Sequence, residues 1–158
     1  MQNTVEKATF GAGCFWHIEE EFEKLKGVTS TSVGFMGGDF KNPSYKDVCT
    51  GKTGHAEVVH LEYDPKVISY EKLLEVFWNI HDPTTLNRQG PDSGAQYRSV
   101  ICFHNEEQEK TAMSSKEKLE KNGRFKNKIV TEVMSAKEFY KAEEYHQQYF
   151  EKQKSCGI

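Results

Sequence analysis

The feature that most constrains this chain is a repeated change of apolar period, from the alternation of a strand to the spacing of a helix and back, between residues 8 and 103. Residues 8–10 suit a short strand that stops at Gly11. Phe15, Ile18, Phe22 and Leu25 then fall on one helical face, and Gly27 suits the position after the helix end. Glu19, Glu20, Glu21 and Glu23 lie mostly off that face, near the positive end of the helix dipole. Residues 28–35 and 55–63 read as strands, the second stopped by Asp64-Pro65. Ser69 caps a helix over 70–80 that turns Leu73, Leu74, Phe77 and Ile80 inward. A strand follows at 97–103. The order β-α-β-β-α-β is that of a ferredoxin-like split βαβ unit, so an α+β two-layer sandwich on a mixed sheet is expected. Beyond it, Asn105 and Gln108 open a polar helix to about Lys121 in capping-box fashion, and residues 129–134 form a last strand. Ser135 and Glu138 repeat the capping pattern before a short aromatic helix and an extended tail, KQKSCGI.

A chain of 158 residues is near the size of one domain, so a single unit over 1–158 is expected, with a tail at about 151–158. Ten Phe, seven Tyr and two Trp supply the bulk that an apolar content of 36% would otherwise lack. The 21 basic and 24 acidic side chains are interspersed, which argues against a nucleic-acid or anionic membrane surface. No apolar run approaches the roughly 20 residues that span a bilayer, and the start lacks the order of a signal peptide. A monomer in the cytoplasm is expected. In a reducing compartment the four cysteines, Cys14, Cys49, Cys102 and Cys156, are free thiols, either packed or reactive. Two long loops, 36–54 and 81–96, carry enough Gly, Pro, Asn and Asp to be shaped rather than merely connecting.

In GAGCFWH, residues 11–17, a cysteine stands at a helix start between glycines and aromatics. A free thiol ionises with a pKa of about 8.5, and the unpaired N–H groups of a helix start favour the thiolate. Gly11 and Gly13 leave the sulfur approachable, and Phe15 and Trp16 flank it with apolar surface. Such a site suits a small uncharged group bearing a methyl and a soft atom. The ordinary alternative is a packed cysteine beside core rings. Trp16 lies off the apolar stripe, which favours a role in a site.

Several side chains are candidates to serve that thiol. Glu57, on the strand at 55–63, would be a general acid if it faced inward, because burial keeps a carboxyl protonated. Tyr45 and Tyr97 carry phenolic donors near loop ends, and Asp92 lies in the turn GPDSG. His55, His81 and His146 are possible bases for a cysteine hydrolase, with no spacing that favours one. Cys156, third from the end, suits disulfide exchange. Cys102 reads as inert core, and Cys49 as packing. No nucleotide or zinc motif is present, so no cofactor or metal is expected.

GAGCFW resembles the signature of the A-type peptide methionine sulfoxide reductases. The similarity continues through YKDVCTGKTGHAEVV, HDPTTLNRQGPDSGAQYRS and AEEYHQQYF, in the family's order and over most of the chain. The resemblance implies reduction of methionine S-sulfoxide, free or in proteins, without metal or organic cofactor. It implies that Cys14 is the nucleophile and becomes a sulfenic acid, and that Phe15 and Trp16 hold the substrate methyl group. Glu57 would give a proton to the sulfoxide oxygen, held by Tyr45 and Tyr97 with Asp92 in the same network. Cys156 would resolve the sulfenic acid as a disulfide reduced by thioredoxin. The chain departs from the pattern at His17, where glycine is frequent, and at Phe35, where tyrosine is frequent. A module that only binds oxidised methionine is the non-enzymatic alternative.

Overall fold

The computed structural model describes residues 5–149, so Cys156 and the tail lie outside the described residues. In chain order the elements are β1 (Glu6–Ala12), α1 (Phe15–Glu23), β2 (Val28–Met36), α2 (Tyr45–Cys49), β3 (Ala56–Tyr63) and α3 (Tyr70–Asn79). There follow β4 (Arg88–Gln89), β5 (Asp92–Ser93), β6 (Ser99–Phe103), α4 (Glu106–Lys121), β7 (Glu132–Ser135) and β8 (Tyr140–Lys141). Six strands form one sheet in the order β7-β6-β1-β3-β2-β8, and β4 and β5 form a separate hairpin. The inner four strands are antiparallel neighbours in the split βαβ arrangement, and β7 adds in parallel to β6.

Register explains where the core lies. Phe10 is opposite Val59 and Ile101, and Val33 is opposite Val59, so these side chains share one face. Phe22 of α1 and Phe77 of α3 close over it, each with its ring 5.2 Å from that of Phe10. A smaller core of Met36, Val58, Val100 and Cys102 covers the opposite face beneath Phe139. The caps act as expected at Ser69, whose side chain accepts from Lys72 N–H. Asn105 accepts from Gln108 N–H, while Gln108 Oε1 reaches His104 N–H, one residue before the box position.

The long loops are shaped. The first holds α2, with a full capping box between Ser44 and Asp47, and the second folds into the β4–β5 hairpin. Two expectations change. The α1 helix ends at Glu23, so Leu25 lies in the turn before Gly27, whose φ is +104°. No helix follows Ser135 directly. Ser135 ends β7, and Tyr140–Lys141 pairs with Gly34 and Phe35 of β2 before a 3-10 turn at Glu144–His146. The edge of β2 otherwise presents unpaired backbone groups, and pairing satisfies them more fully than an isolated turn of helix.

Gly34 permits that pairing, because a Cβ there would overlap the Tyr140 carbonyl and meet the Phe139 ring at 2.7 Å. Gly34→Ala should lower stability by about 1–3 kcal/mol in urea unfolding, with faster amide exchange at Ala142, whose N–H bonds Val33 O.

Candidate active site

Cys14 lies between β1 and α1 as the residue before the first helical turn, with φ −61° and ψ 120°, and is half-buried. Gly13 makes the turn at φ +102°, and a Cβ there would come within 2.9 Å of Gln89, so the β4–β5 hairpin lies against the cysteine turn. Opposite, the register that places Phe35 against Glu57 puts the carboxyl on the helix-facing side of β3. Glu57 is 1% exposed. Its Oε1 accepts from Phe15 N–H at 3.3 Å, and its Oε2 is buried without a hydrogen-bond partner. A sheet carboxyl thus meets the start of α1 beside the cysteine.

The electrostatics of this pair are set first by burial. Desolvation raises the Glu57 pKa to about 8, against the opposing pull of the Phe15 N–H, with Asp92 adding a smaller push upward. Glu57 is therefore mostly neutral at pH 7. The Cys14 thiol is pushed up to about 11, again mainly by burial, with Glu57 and Asp92 adding to it. The backbone N–H groups of Trp16 and His17 act in the expected direction and lower the value, but do not outweigh desolvation. The helix start alone does not make a resting thiolate here.

Tyr45, Tyr97 and Asp92 join the same electrostatic cluster. Both phenols are raised mainly by burial and next by Glu57, Tyr97 to about 12. They stay protonated donors at neutral pH. Asp92, in β5, acts on Cys14, Glu57 and Tyr97. Cys49 is not packed away as expected: it is exposed and hydrogen-bonded to the Tyr45 side chain. Cys102 is fully buried, as expected.

The apolar side of the site is ring on ring. Phe15 is buried against Phe35, with centroids 5.7 Å apart, and Trp16 is half-buried. Trp16 stacks on Tyr149 at 4.0 Å and 11°, and its Nε1–H donates to His146 Nδ1 at 2.9 Å. His146 also lies 5.4 Å from Phe15 and 4.3 Å from Tyr45. Sequence reasoning treated His146 only as a possible base and did not single out Tyr149. The aromatic spacing in AEEYHQQYF was the available signal. His17 is exposed on α1.

Each histidine that could serve as a base has its accepting ring nitrogen engaged, and His146 Nε2 is buried without a partner. His81 donates from Nδ1 to Phe77 O and bonds Ser99 Oγ through Nε2. His55 donates to Phe40 O and accepts from Gly38 N–H. With His146 Nδ1 taken by Trp16, the geometry favours a Cys–Glu pair over a Cys–His pair. Among the described residues no group of three or more His, Cys, Asp or Glu is arranged to hold a metal ion. No helix among them is long and apolar enough to cross a membrane.

Comparison with known proteins identifies the family. A family model described as peptide methionine sulfoxide reductase matches residues 6–158. Peptide methionine sulfoxide reductase MsrA of Methanosarcina acetivorans is 66% identical over 94% of this chain and 79% of its own length. The reduced form of Mxr1 from Saccharomyces cerevisiae superimposes with a TM-score of 0.89 at 39% identity, covering 95% of this chain and 86% of that one. Mxr1 in complex with Trx2 aligns with a TM-score of 0.65 at 26% identity, over 94% and 89% of the two chains. A cysteine at a helix start, a buried carboxyl bonded to that start and a stacked aromatic wall thus occur in a chain that belongs to the peptide methionine sulfoxide reductase family, of the A type.

Proposed function

We propose that the chain reduces methionine S-sulfoxide, free or in proteins, with Cys14 as nucleophile and Glu57 as general acid. The observation that carries this reading is the buried Glu57 carboxyl at the start of α1, with one oxygen held by Phe15 N–H and the other unpartnered. The Cys14 thiolate attacks the sulfoxide sulfur while Glu57 gives its proton to the oxygen, because an unprotonated oxide is a poor leaving group. Tyr45 and Tyr97 donate to the same oxygen, with Asp92 in their network, and Phe15 and Trp16 hold the methyl group. The sulfoxide is reduced by two electrons to the thioether, and Cys14 is oxidised to the sulfenic acid that now bears the oxygen. Cys156 condenses with it, releasing water and forming a disulfide. Thioredoxin reduces that disulfide, a role supported by the Trx2 complex of a structural relative. Free thiols are compatible with a reducing cytoplasm.

The deciding assay incubates the protein with methionine S-sulfoxide and dithiothreitol and measures methionine. A sulfoxide bound but unreduced would leave only a binding module, and acyl-enzyme formation with esters would point to a hydrolase.

The two shifted groups also set a pH dependence. Thiolate with neutral carboxyl carries one proton between the pair, as does thiol with carboxylate, so passing the proton from sulfur to Glu57 prepares both reactants. With values near 8 for Glu57 and 11 for Cys14, the singly protonated pair grows about tenfold per pH unit up to pH 8 and then levels. kcat/KM for sulfoxide reduction should rise with that slope and break near pH 8. In Glu57→Gln the break should vanish, since only the thiol titrates. A wild-type profile that falls between pH 6 and 8 would exclude this pairing.

A further inference from the structure

Glu19 is a carboxylate in α1 that the mechanism does not use, and it is 1% exposed. Its Oε1 accepts from Gln148 N–H at 2.7 Å, and its Oε2 accepts from Gln148 Nε2 at 2.6 Å and from Thr31 Oγ1 of β2 at 2.9 Å. Gln148 Nε2 also lies 3.0 Å from Thr31 Oγ1 and 3.2 Å from Thr31 O. Gln148 has φ +47°, a left-handed conformation that a glutamine holds only where its surroundings dictate it. The preceding Gln147 is fixed separately: its Oε1 accepts from Val33 N–H at 2.8 Å and its Nε2 donates to Val33 O at 2.9 Å.

These two anchored glutamines stand between the two rings that hold Trp16. His146 precedes them and accepts the Trp16 N–H; Tyr149 follows them and stacks on the indole. Burying a carboxylate is costly unless its oxygens are met by several donors, and here they are met from a strand and a turn. Glu19 also lies three residues after Trp16 on the same helix, so the tie and the ring it serves belong to one rigid element.

We propose that Glu19, acting through Gln148, is a positioning residue of the sulfoxide pocket. It locks the segment carrying His146 and Tyr149 onto α1, so that the Trp16 ring is held as a wall for the substrate methyl group. The part played by Trp16 rests on the function proposed above; the clamp itself can be read without turnover.

Glu19→Gln sets an amide nitrogen against one of the two Gln148 donors, backbone N–H or Nε2, whichever way the amide turns. In a Trp78→Phe background, which leaves Trp16 as the sole indole, this change should shift emission and raise acrylamide quenching. With dithiothreitol as reductant, KM for methionine S-sulfoxide should rise about tenfold, the scale of one charge-assisted hydrogen bond, while kcat stays within about twofold. Adding Gln148→Glu restores a donor–acceptor pair with residue 19 but sets an oxygen against Thr31 O, so emission and KM should recover in part. Wild-type emission and KM in Glu19→Gln would overturn the proposal, and so would a lower melting temperature with neither readout moved. A double variant that recovers nothing would overturn it equally. If the wild-type protein reduced no sulfoxide, the function would fail while the emission arm still judged the clamp.

Discussion

Glu57→Gln should lower the rate of methionine S-sulfoxide reduction by about 10²–10⁴-fold, the usual contribution of a general acid, while making the protein more stable above pH 5. Both effects come from one property. The carboxyl is buried on β3 and holds its proton to about pH 8, far above an ordinary glutamate. Glutamine keeps the shape and an oxygen to accept from Phe15 N–H, but carries no acidic proton for the departing oxygen. In the unfolded chain Glu57 ionises from about pH 4.5, whereas in the folded chain it does not until about 8. Its folded-state pKa is raised, so its relative contribution to stability is fully present below 4.5 and is lost as pH rises through 8. By pH 7 the loss is on the order of 3 kcal/mol, and glutamine does not suffer it. Denaturation of both proteins at pH 5 and pH 8 checks this: the advantage of the variant should grow between the two. Unchanged activity would remove Glu57 from the mechanism, and a constant stability difference would remove the buried proton.

Cys14→Ser should abolish even the first turnover, because a hydroxyl at that position is neither as nucleophilic nor oxidisable to a sulfenic acid. Cys156→Ser should behave differently. In single turnover without reductant it should still release about one methionine per protein, since the nucleophile persists, and then stall with thioredoxin. Chain length allows the pairing. Cys156 is seven positions after Tyr149, a reach of about 23–25 Å when extended, and Tyr149 stacks on Trp16, two residues from Cys14. Unimpaired turnover with thioredoxin would pass the resolving role to another thiol, and exposed Cys49 on the Tyr45 side chain is the one to replace next.

Much of the frame was legible in the chain. Helical spacing marked the buried faces of α1 and α3, Ser69 marked a helix start, and the β-α-β-β-α-β order implied the neighbours of the inner strands. Those signals are local, so they survive without knowledge of the rest of the molecule. β8 was not legible because its reason lies over a hundred residues away: Tyr140 and Lys141 pair with the free edge of β2, which a capping pattern at Ser135 and Glu138 cannot report. Tyr149, and the part of His146 beyond that of a possible base, were not legible for the same cause, since each acts through contact with Trp16.

The cysteine at the helix start, its flanking rings and the resemblance that names a chemistry for them are all present in the residues alone. How that cysteine ionises is not. The helix N–H groups favour the thiolate, but their pull is smaller than the desolvation imposed by the fold around the sulfur. Nor did sequence decide whether Glu57 is an ordinary strand carboxylate or an acid. Ala56 to Val59 are buried on both faces of the sheet, so alternation alone does not reveal the surroundings of this one position. Only the tertiary structure places Glu57 against Phe15 N–H and removes it from water. Burial is a property of the whole packed molecule, and it is burial that turns a glutamate into a proton donor near neutral pH.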